Sequence, residues 1–523
     1  MSNKEVIHWA DSAAKKIIAE KGNKESYVCE AAITPSGTVH IGNFREIITV
    51  DLVRRALESI KKKVRFIYSW DDYDVFRKVP KNMPKQEELK KYLRMPIIET
   101  PDVYGCHDSY AEHNESEVEE DIPKVGINPE FIYQSKKYRK GDYADEIKFC
   151  LENTDKIKEV LNEFRTEPLK DDWLPVAVFC EKCKKDTINS LKYEGGHEIT
   201  YECDCGHKET FDFRKKGIVK LAWRVDWPMR WVYEKVDFES GGKDHFTAGG
   251  SFDSANKLIK ALWDRDAPSQ FRYDFVRIKG AGGKISSSEG NVITLKDVLE
   301  VYEPDMVRWL FAGTRPGTEF AISFDTEVIK NYEEFDKVER IYYGEENVSD
   351  KEKSKQKRIY ELSCVDKPQK KIPFQPSFRN LTNVLQTHVM DVEKSIGYYE
   401  KELKHEFDKE RLRLRANCAK NWLEKHAPED FRFVVQDKLP KLKLSENIKK
   451  LLKEIAKKLK ERDWTDKELH EEFYVLVNNS EVNNKDFFKS AYNVLINKDK
   501  GPQLANFILT IGKDRVINLF EKL

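Results

Sequence analysis

A strand, a glycine-containing turn, a helix and a second strand follow one another near the start of the chain, and this order constrains the fold most. The segment SYVCEAAI, Ser26–Ile33, is short and partly β-branched, and the turn residues Thr34–Gly37 stop it, which predicts a buried strand. From Ile41 to Ile60 apolar residues recur at three- and four-residue steps, which predicts a helix with one buried face. KVRFIYSW, Lys63–Trp70, predicts the second strand. Two strands joined by a helix imply a parallel sheet with a right-handed crossover.

The rest of the chain suggests how this unit is extended. At 523 residues the chain is too long for one core, and two to four domains are expected. Prolines and a cysteine-rich segment break the strand–helix rhythm over about 75–220, which predicts an insertion. After about 345 the composition shifts to SDKEKSKQKR, and beyond Phe374 the pattern is almost wholly helical. We therefore expect an α/β domain over 1–345, interrupted by that insertion, and an all-α domain over 346–523.

Composition excludes some classes of protein. No apolar run approaches the roughly 20 residues of a membrane span, and MSNKEVIHWADSAAKK lacks the apolar core of a signal peptide, which predicts a cytoplasmic protein. Nine cysteines, an odd number, argue against a disulfide framework in that compartment. Lys+Arg and Asp+Glu both total 92, so a polyanion must be met by a local patch. Lys438–Arg462 holds ten basic residues against three glutamates, although such faces are mostly solvated surface.

The turn ITPSGTVHIGN, Ile33–Asn43, predicts an anion site. The first N–H groups of a helix lack partners and carry the positive end of its dipole, and Gly37 and Gly42 let the backbone approach a ligand closely. His40 and Asn43 are placed to donate hydrogen bonds to a phosphate. Neither a P-loop nor GxGxxG is present, and alone the motif is equally compatible with an incidental turn histidine.

A second motif, KGAGGKISSSEGN, follows another predicted strand about 240 residues later. Gly280, Gly282 and Gly283 predict a mobile loop, Lys284 supplies a cation, and Ser286–Ser288 supply hydroxyls. A flexible polar loop is the alternative reading. Two such elements, each at a strand end, are far less probable by chance and favour a ligand rich in phosphate.

The pair resembles the HIGH and KMSKS motifs of class I aminoacyl-tRNA synthetases, which implies a Rossmann-like catalytic domain and ATP as a substrate. The resemblance implies ATP contacts at Pro35, Gly37, His40, Gly42, Asn43, Lys284, Ser286 and Ser287. It implies catalytic roles for His40, Asn43, Lys284, Ser287 and Ser288. Two positions depart from the motifs: Asn43 replaces the last histidine of HIGH, and Ser287 replaces the second lysine of KMSKS.

Longer stretches resemble the class I lysyl-tRNA synthetases along nearly the whole chain. They are SWDDYDVFRKVP, PDVYGCHDSYAEH, LAWRVDWPMRW, GGKDHFTAGGSFD and GPQLANFILTIGKDRVI. This resemblance implies attachment of L-lysine to tRNA(Lys) through a lysyl-adenylate, with Mg²⁺ accompanying ATP, transfer to the 2′-hydroxyl, and an α-helical anticodon-binding domain. The alternatives are a glutamyl or arginyl enzyme of the same class, a non-catalytic tRNA-binding protein, and a nucleotidylyltransferase.

A lysine pocket must satisfy one ammonium group at the end of four methylenes and another on the α-carbon. Candidate carboxylate partners are Glu30, Asp226 and Asp244, and candidate aromatic walls are Trp223, Trp227 and Trp231, which are equally typical of ordinary core. The resemblance implies that Thr34, Trp223 and His245 line the amino-acid pocket and that Asp244 orients the ribose or the α-amine.

Two groups of residues in the predicted insertion have the types and spacing of metal ligands. Cys180 and Cys183 precede Cys203 and Cys205 by 19 intervening residues, a pattern typical of a structural zinc ribbon. Since the second pair is closely spaced, His197 or His207 is a candidate replacement for one thiolate. The alternative is a set of free thiols.

The second group, Asp102, Cys106, His107 and His113, has zinc-ligand types at less regular spacing. Spacing alone leaves His113 equally fit to cap a helix or face solvent. The resemblance supports a metal here too.

Overall fold

The structure is a computed structural model, and it describes residues 8–279 and 292–523. The strands are β1 (Ser26–Ile33), β2 (Lys63–Trp70), β3 (Glu130–Tyr133), β4 (Val176–Val178), β5 (Ile188–Gly195), β6 (Glu198–Cys203), β7 (Lys208–Asp212), β8 (Val219–Leu221), β9 (Phe238–Gly242), β10 (Ser269–Tyr273), β11 (Val276–Lys279) and β12 (Phe320–Ser323). Helices α1 to α11 are Trp9–Lys21, Ile41–Ser59, Gln86–Leu89, Tyr110–Asp121, Gln134–Lys140, Ala144–Glu152, Thr154–Asn162, Trp223–Glu234, Ser251–Trp263, Leu295–Leu299 and Pro304–Ala312. Helices α12 to α21 are Glu327–Tyr343, Asp350–Ser363, Phe378–Thr387, Val392–Tyr398, Glu406–Lys425, Glu446–Glu461, Asp466–Asn478, Asn484–Ile496, Leu504–Ile511 and Lys513–Glu521.

The described chain divides into two compact units. The first comprises Met1–Val298, Pro304–Ile322 and Asn347–Pro368, without the residues that the structure does not describe. The second comprises Leu299–Glu303, Ser323–Glu346 and Gln369–Leu523. The chain therefore passes from one unit to the other more than once, and the domain boundary near 345 stays a prediction.

The core of the first unit is a five-stranded parallel sheet in the order β10-β9-β1-β2-β3. Strands β1 and β2 pair in register from Ser26 with Lys63 to Ile33 with Trp70, and α2 connects them. The predicted strand–helix–strand unit and the Rossmann-like fold class are thus confirmed. The chain adds β2 and β3 on one side of β1, then β9 and β10 on the other, so the order reverses between β1 and β9. Ligands of open parallel sheets bind at the carboxyl ends of strands at such a reversal.

The stretch predicted as an insertion, 75–220, contributes one strand to this core, because β3 pairs with β2. The remainder contains helices α3 to α7 and strands of two separate antiparallel sheets, one of β4 and β8 and one of β5, β6 and β7. Sequence patterning missed β3 because it is only four residues long and bordered by helices.

The second unit is helical apart from its share of β12, as the sequence predicts for the C-terminal part of the chain. Its core includes Leu451, Leu452, Ile455 and Leu459, the predicted apolar stripe of α17, packed with α21. Helix α17 begins at the Ser445 cap, whose side chain accepts a hydrogen bond from the N–H of Ile448. Among the described residues, the helices are all too short or too polar to cross a membrane.

Candidate active site

A cavity of about 430 Å³ opens at the carboxyl ends of β1 and β9, where the strand order reverses. Five residues predicted from the sequence line it: Thr34, Asn43, Trp223, Trp227 and His245. The turn between β1 and α2 forms one side, and Pro35 and Gly37 are buried within that turn. The structure therefore brings predicted ATP-binding and amino-acid-binding residues to one place.

His40 and Asn43 cap the start of α2 reciprocally. Nδ1 of His40 accepts a hydrogen bond from the backbone N–H of Asn43 at 3.2 Å, and Oδ1 of Asn43 accepts one from the backbone N–H of His40 at 3.2 Å. Because Nδ1 acts as an acceptor, the neutral imidazole carries its proton on Nε2. A Cβ at Gly42 would lie 2.8 Å from the imidazole, so a larger residue here would displace His40 from its capping position. The capping bonds thus fix both the orientation and the tautomer of His40.

Helix α2 holds both flanks of the second motif. The guanidinium of Arg45 donates to the backbone oxygens of Asp274 at 2.9 Å and Phe275 at 3.0 Å, just before β11. The N–H of Ile41 donates to the backbone oxygen of Ile293 at 2.8 Å, just after the motif. Lys284, Ser286, Ser287 and Ser288 lie outside the described residues. The chain on either side of them is nevertheless tied to the helix that His40 begins.

The cavity has an acidic lining. Its charged side chains are four carboxylates, Glu46, Asp71, Asp74 and Glu239, and two guanidiniums, Arg77 and Arg230. Glu46 accepts hydrogen bonds from the N–H of Ala32 at 2.8 Å and from the hydroxyl of Tyr273 at 2.7 Å. Burial raises the pKa of Glu46 to about 7, and these hydrogen bonds oppose the shift.

Glu239 lies at the centre of a group of indoles. The Nε1–H groups of Trp227 and Trp231 both donate to it, the first at 3.1 Å to Oε2. Burial, followed by the charge of Glu46, raises the pKa of Glu239 to about 8. A cation that enters the cavity would stabilise the ionised carboxylates and so lower these raised pKa values. The lining therefore favours a positively charged ligand and disfavours an anionic side chain.

The other predicted carboxylates lie elsewhere. Asp226 is fully buried, and its Oδ1 accepts a hydrogen bond from the hydroxyl of Tyr138. Its Oδ2 lies 3.5 Å from Nε of Arg230, so Asp226 supports the cavity wall from behind. Glu30 is also buried, beside Glu239 on the neighbouring strand, and burial together with the charge of Glu239 raises its pKa strongly. Asp244 is exposed and does not line the cavity.

The aromatic side of the cavity is continuous. Trp223 and Trp227 stack at 5.5 Å between ring centroids, and His245 lies 5.9 Å from Trp223. Burial lowers the pKa of His245, so its ring is neutral near pH 7. Trp231 does not line the cavity and supports it through Glu239.

Sequence reasoning missed Glu46, Asp71, Arg230 and Glu239. Asp71 and Arg230 form a buried ion pair with 2.5 Å between Oδ1 and Nη1. One signal was available: Asp71 directly follows β2, and Glu239 is a charged residue inside an otherwise buried strand. Charged residues in such places are rare without a partner or a function.

The four cysteines of the first predicted metal group meet. The Sγ atoms of Cys180 and Cys205 lie 3.7 Å apart, and those of Cys183 and Cys203 lie 3.5 Å apart. Sulfurs at about 2.3 Å from a tetrahedral zinc ion would be separated by nearly this distance. Burial opposes ionisation of Cys180, but backbone N–H groups of Cys183 and Lys182 outweigh it and lower its pKa to about 7. The structure pairs His197 with Asp145 and His207 with Glu209.

The second predicted metal group also converges. Sγ of Cys106 lies 3.2 Å from Nδ1 of both His107 and His113, and 3.3 Å from Oδ2 of Asp102. All four ligand atoms lie within 4.8 Å of one another. The donor set of one thiolate, two imidazoles and one carboxylate fits a four-coordinate zinc ion.

Comparison with known proteins agrees with this geometry. The family model described as tRNA synthetases class I (K) matches residues 7–366, and a model of an anticodon binding domain matches residues 423–522. The lysine–tRNA ligase of Borreliella burgdorferi is 50% identical over 519 residues, covering 99% of this chain and 98% of that protein. The lysine–tRNA ligase of Treponema pallidum is 47% identical, with 98% and 97% covered, and that of Pyrococcus horikoshii is 42% identical, with 98% and 99% covered. The chain therefore belongs to the class I (K) family of tRNA synthetases.

Proposed function

We propose that this chain is an ATP-dependent lysine–tRNA ligase that attaches L-lysine to tRNA(Lys) through a lysyl-adenylate. The observation that carries the assignment of the amino acid is the pair of buried carboxylates, Glu46 and Glu239, in a cavity next to the start of α2. Full-length identity of 42–50% to lysine–tRNA ligases supports the same reaction.

Lysine binds with its ε-ammonium group towards Glu239 and its methylenes against Trp223 and Trp227. Glu239 is held by two indole N–H donors, which stabilise its ionised form when the ammonium arrives. Desolvated charges of opposite sign attract strongly inside a protein, and an ammonium over indole faces gains a cation–π contribution. A glutamate side chain would instead add a third carboxylate beside Glu46 and Glu239, whose raised pKa values already reflect the cost of negative charge in this cavity.

The lysine carboxylate faces the start of α2, where ATP binds. Its oxygen attacks the α-phosphate in line, the bond to the β-phosphate bridging oxygen breaks, and pyrophosphate leaves. The 2′-hydroxyl of the terminal ribose of tRNA then attacks the carbonyl of lysyl-adenylate, and AMP leaves. Nε2–H of His40, fixed by the capping bonds to Asn43, donates to the phosphate as its charge grows. Lys284 and the serines of the second motif supply further donors in this proposal, and Mg²⁺ bound to ATP supplies countercharge.

Zinc has a structural role in this proposal. One ion is held by Cys180, Cys183, Cys203 and Cys205, and a second by Asp102, Cys106, His107 and His113. Closed sites of four protein ligands stabilise small folds with little core of their own. The cytoplasm is the proposed location, since this is where the reducing conditions that thiolate ligands need prevail.

An amino-acid-dependent ATP–pyrophosphate exchange assay tests the function. Lysine, arginine and glutamate are each supplied to the purified chain with tRNA present, because the family resembles enzymes that need tRNA for activation. Of the three amino acids, we expect only lysine to support exchange, and lysyl-tRNA then to form. Exchange driven by arginine or glutamate, or tRNA binding without any exchange, would overturn the proposal.

A further inference from the structure

Five charged side chains form a continuous chain of ion pairs in the wall of the active-site cavity. In order of contact they are Asp74, Lys220, Asp226, Arg230 and Asp71. Nζ of Lys220 lies 2.5 Å from Oδ1 of Asp74 and 3.9 Å from Oδ2 of Asp226. Asp74 lines the cavity, whereas Lys220 is buried and does not line it. Lys220 therefore acts on the cavity only through the carboxylates that it contacts.

The proposed function leaves the α-ammonium group of lysine without a partner, because Glu239 takes the ε-ammonium group and the lysine carboxylate faces α2. We propose that Lys220 is a positioning residue that holds the carboxylate of Asp74 towards the cavity, where Asp74 binds the α-ammonium group. This inference rests on the proposed function, since it takes lysine as the ligand. Asp244, for which the resemblance implied a contact with the ribose or the α-amine, is exposed and does not line the cavity.

The backbone around Lys220 fixes where its side chain points. Lys220 is the middle residue of β8, and it pairs with Ala177 of β4. Its neighbours Val219 and Leu221 belong to a hydrophobic core. Successive side chains of a strand point to opposite faces, so Lys220 points away from that core. A buried ion pair is a poor source of stability compared with apolar packing. A lysine at this position therefore indicates a role in the cavity.

Asp74 is the member of the chain best placed to meet a ligand. Its side chain is 17% exposed, compared with 8% for Asp71 and 0% for Asp226. Lys220 donates to Oδ1 of Asp74, and from the described part of the chain Oδ2 accepts no hydrogen bond. Three carboxylates face two cations in this chain of ion pairs, so one negative charge is left over when all five are ionised. An ammonium group at Oδ2 would balance it.

Lys220 also keeps Asp74 ionised. Burial opposes ionisation of this carboxyl group, but the charge of Lys220 and its hydrogen bond outweigh burial and lower the pKa of Asp74. The other charged groups around it are Arg77 on its own segment and Arg230 on α8, which favour the ionised form, and the carboxylates Asp71 and Asp226, which oppose it. In contrast to the two glutamates of the cavity, Asp74 is therefore charged throughout the neutral range.

The segment that carries Asp74 lies beside the turn that leads into α2. The N–H of Asp71 donates to the backbone oxygen of Ile33 at 2.8 Å, and Ile33 is the last residue of β1. The N–H of Asp74 donates in turn to the backbone oxygen of Asp71 at 3.3 Å. The α-ammonium and carboxylate groups of lysine share one carbon atom, so the partner of the first must lie close to the site of the second. Asp74 meets this condition.

The test compares lysine with 6-aminohexanoic acid, which lacks only the α-amino group. With the full chain and tRNA present, lysine-dependent exchange gives the KM for lysine, and inhibition of the same reaction gives the Ki for the analogue. The ratio of Ki to KM reports the contribution of the α-ammonium group. Both compounds carry the ε-ammonium group, so the titration of Glu239 affects both constants and cancels in the ratio.

Asp74→Asn should reduce this ratio by about tenfold or more, the effect of losing a hydrogen bond between charged groups, and leave the Ki for the analogue close to wild type. Lys220→Met should reduce the ratio near pH 6.5, because Asp74 then takes up a proton, and should recover most of it near pH 8. Lys220→Arg keeps a cation and should retain the wild-type ratio at both pH values.

The matched control is Lys24→Met. It removes a lysine whose Nζ lies 2.5 Å from Oδ1 of the buried Asp237, and neither residue lines the cavity. We expect the wild-type ratio in this variant, even where its melting temperature falls. A decrease as large as that in Lys220→Met would assign the effect to general destabilisation and overturn the inference.

A wild-type ratio in Asp74→Asn also overturns the inference, and so does a ratio in Lys220→Met that is the same at both pH values. Removing one partner of a buried ion pair destabilises a fold, so Asp74→Asn and Lys220→Arg keep the test decisive if Lys220→Met does not fold. Absence of lysine-dependent exchange in the wild type defeats the proposed function. Exchange in the wild type with an unchanged ratio in Asp74→Asn defeats only this inference.

Discussion

The imidazole of His40 and the side chain of Asn43 close a reciprocal cap on α2, with both hydrogen bonds at 3.2 Å. Asn43, which occupies the position of the last histidine of the HIGH motif, therefore has a structural role in capping α2. The amide oxygen holds the His40 backbone while the imidazole accepts from the Asn43 backbone. One pair of residues therefore both starts the helix and fixes the orientation of the imidazole.

Substitution of His40 separates capping from phosphate binding. Asparagine is among the best N-cap residues, so His40→Asn should keep the melting temperature of the wild type. It should still slow the exchange reaction, because loss of the Nε2–H donor removes about 2–4 kcal/mol of transition-state stabilisation. His40→Ala should slow exchange as much as His40→Asn does, and it should also lower the free energy of unfolding by about 1 kcal/mol because the cap is lost. Wild-type exchange by His40→Asn would exclude a phosphate role for the imidazole.

Neutralising Glu239 should impair binding of lysine selectively. Glu239→Gln preserves the size of the side chain and an oxygen for the indole N–H groups, but it cannot pair with an ammonium group. We expect the KM for lysine in tRNA-supported exchange to rise about 100-fold, the effect of about 3 kcal/mol, the upper range for a charged hydrogen bond. The KM for ATP should change little. Equal increases in both constants would indicate a general disturbance of the site and contradict the assignment.

Binding of lysine should strengthen as pH rises through 8. Burial raises the pKa of Glu239 to about 8, so the folded state keeps a proton that an ordinary glutamate would lose near pH 4.5. As pH rises from about 4.5 to about 8, the contribution of Glu239 to the stability of the fold therefore decreases. Over the upper part of this range the ionised carboxylate, which pairs with lysine, becomes populated. The KM for lysine should decrease from pH 6.5 to pH 8.5, and the decrease should be smaller in Glu239→Gln. An unchanged slope in that variant would assign the titration to another group.

Loss of one thiol should release one zinc ion. Cys205 is exposed, so Cys205→Ser disturbs little besides the metal site. We expect elemental analysis to find two zinc ions in the wild type and one in Cys205→Ser, with a lower melting temperature in the variant. Cys364→Ser, a buried cysteine outside both groups, should keep both ions. Identical zinc content in Cys205→Ser and the wild type would contradict the four-cysteine site.

Arg45 should be important for both stability and the second motif. Its guanidinium also donates to the backbone oxygens of Arg315 and Thr318, at 3.1 and 2.7 Å, in addition to those of Asp274 and Phe275. A lysine cannot reach four acceptors, so Arg45→Lys should lower the unfolding free energy by about 3 kcal/mol. It should also raise the KM for ATP. Arg413→Lys, at an exposed ion pair, should change neither quantity, and an equal response of the two variants would contradict the role of Arg45.

Local sequence patterns predicted the elements that depend on neighbouring residues. The bounds of β1 and β2 agree with the predicted strands, and α2 begins at Ile41 as its apolar spacing indicates. Cysteine spacing likewise predicted a group of four thiols that the structure brings within 4.8 Å of one another. Caps, turns and apolar periodicity are encoded over a few residues, so they can be read without knowing the rest of the fold.

The identity of the carboxylates that line the cavity depended on tertiary structure. The sequence alone named Glu30, Asp226 and Asp244 as candidates, whereas the carboxylates that line the cavity are Glu46, Asp71, Asp74 and Glu239. Glu46 lies in α2 and Glu239 in β9, almost 200 residues apart, and they meet because β9 pairs with β1. Their raised pKa values come from burial by several distant segments, and burial cannot be assigned from local sequence. The sequence by itself therefore determined the family and the strand–helix–strand unit and predicted a phosphate site at the start of α2, whereas the tertiary structure decided which charged side chains line the cavity, because burial and distant pairing cannot be assigned from local sequence.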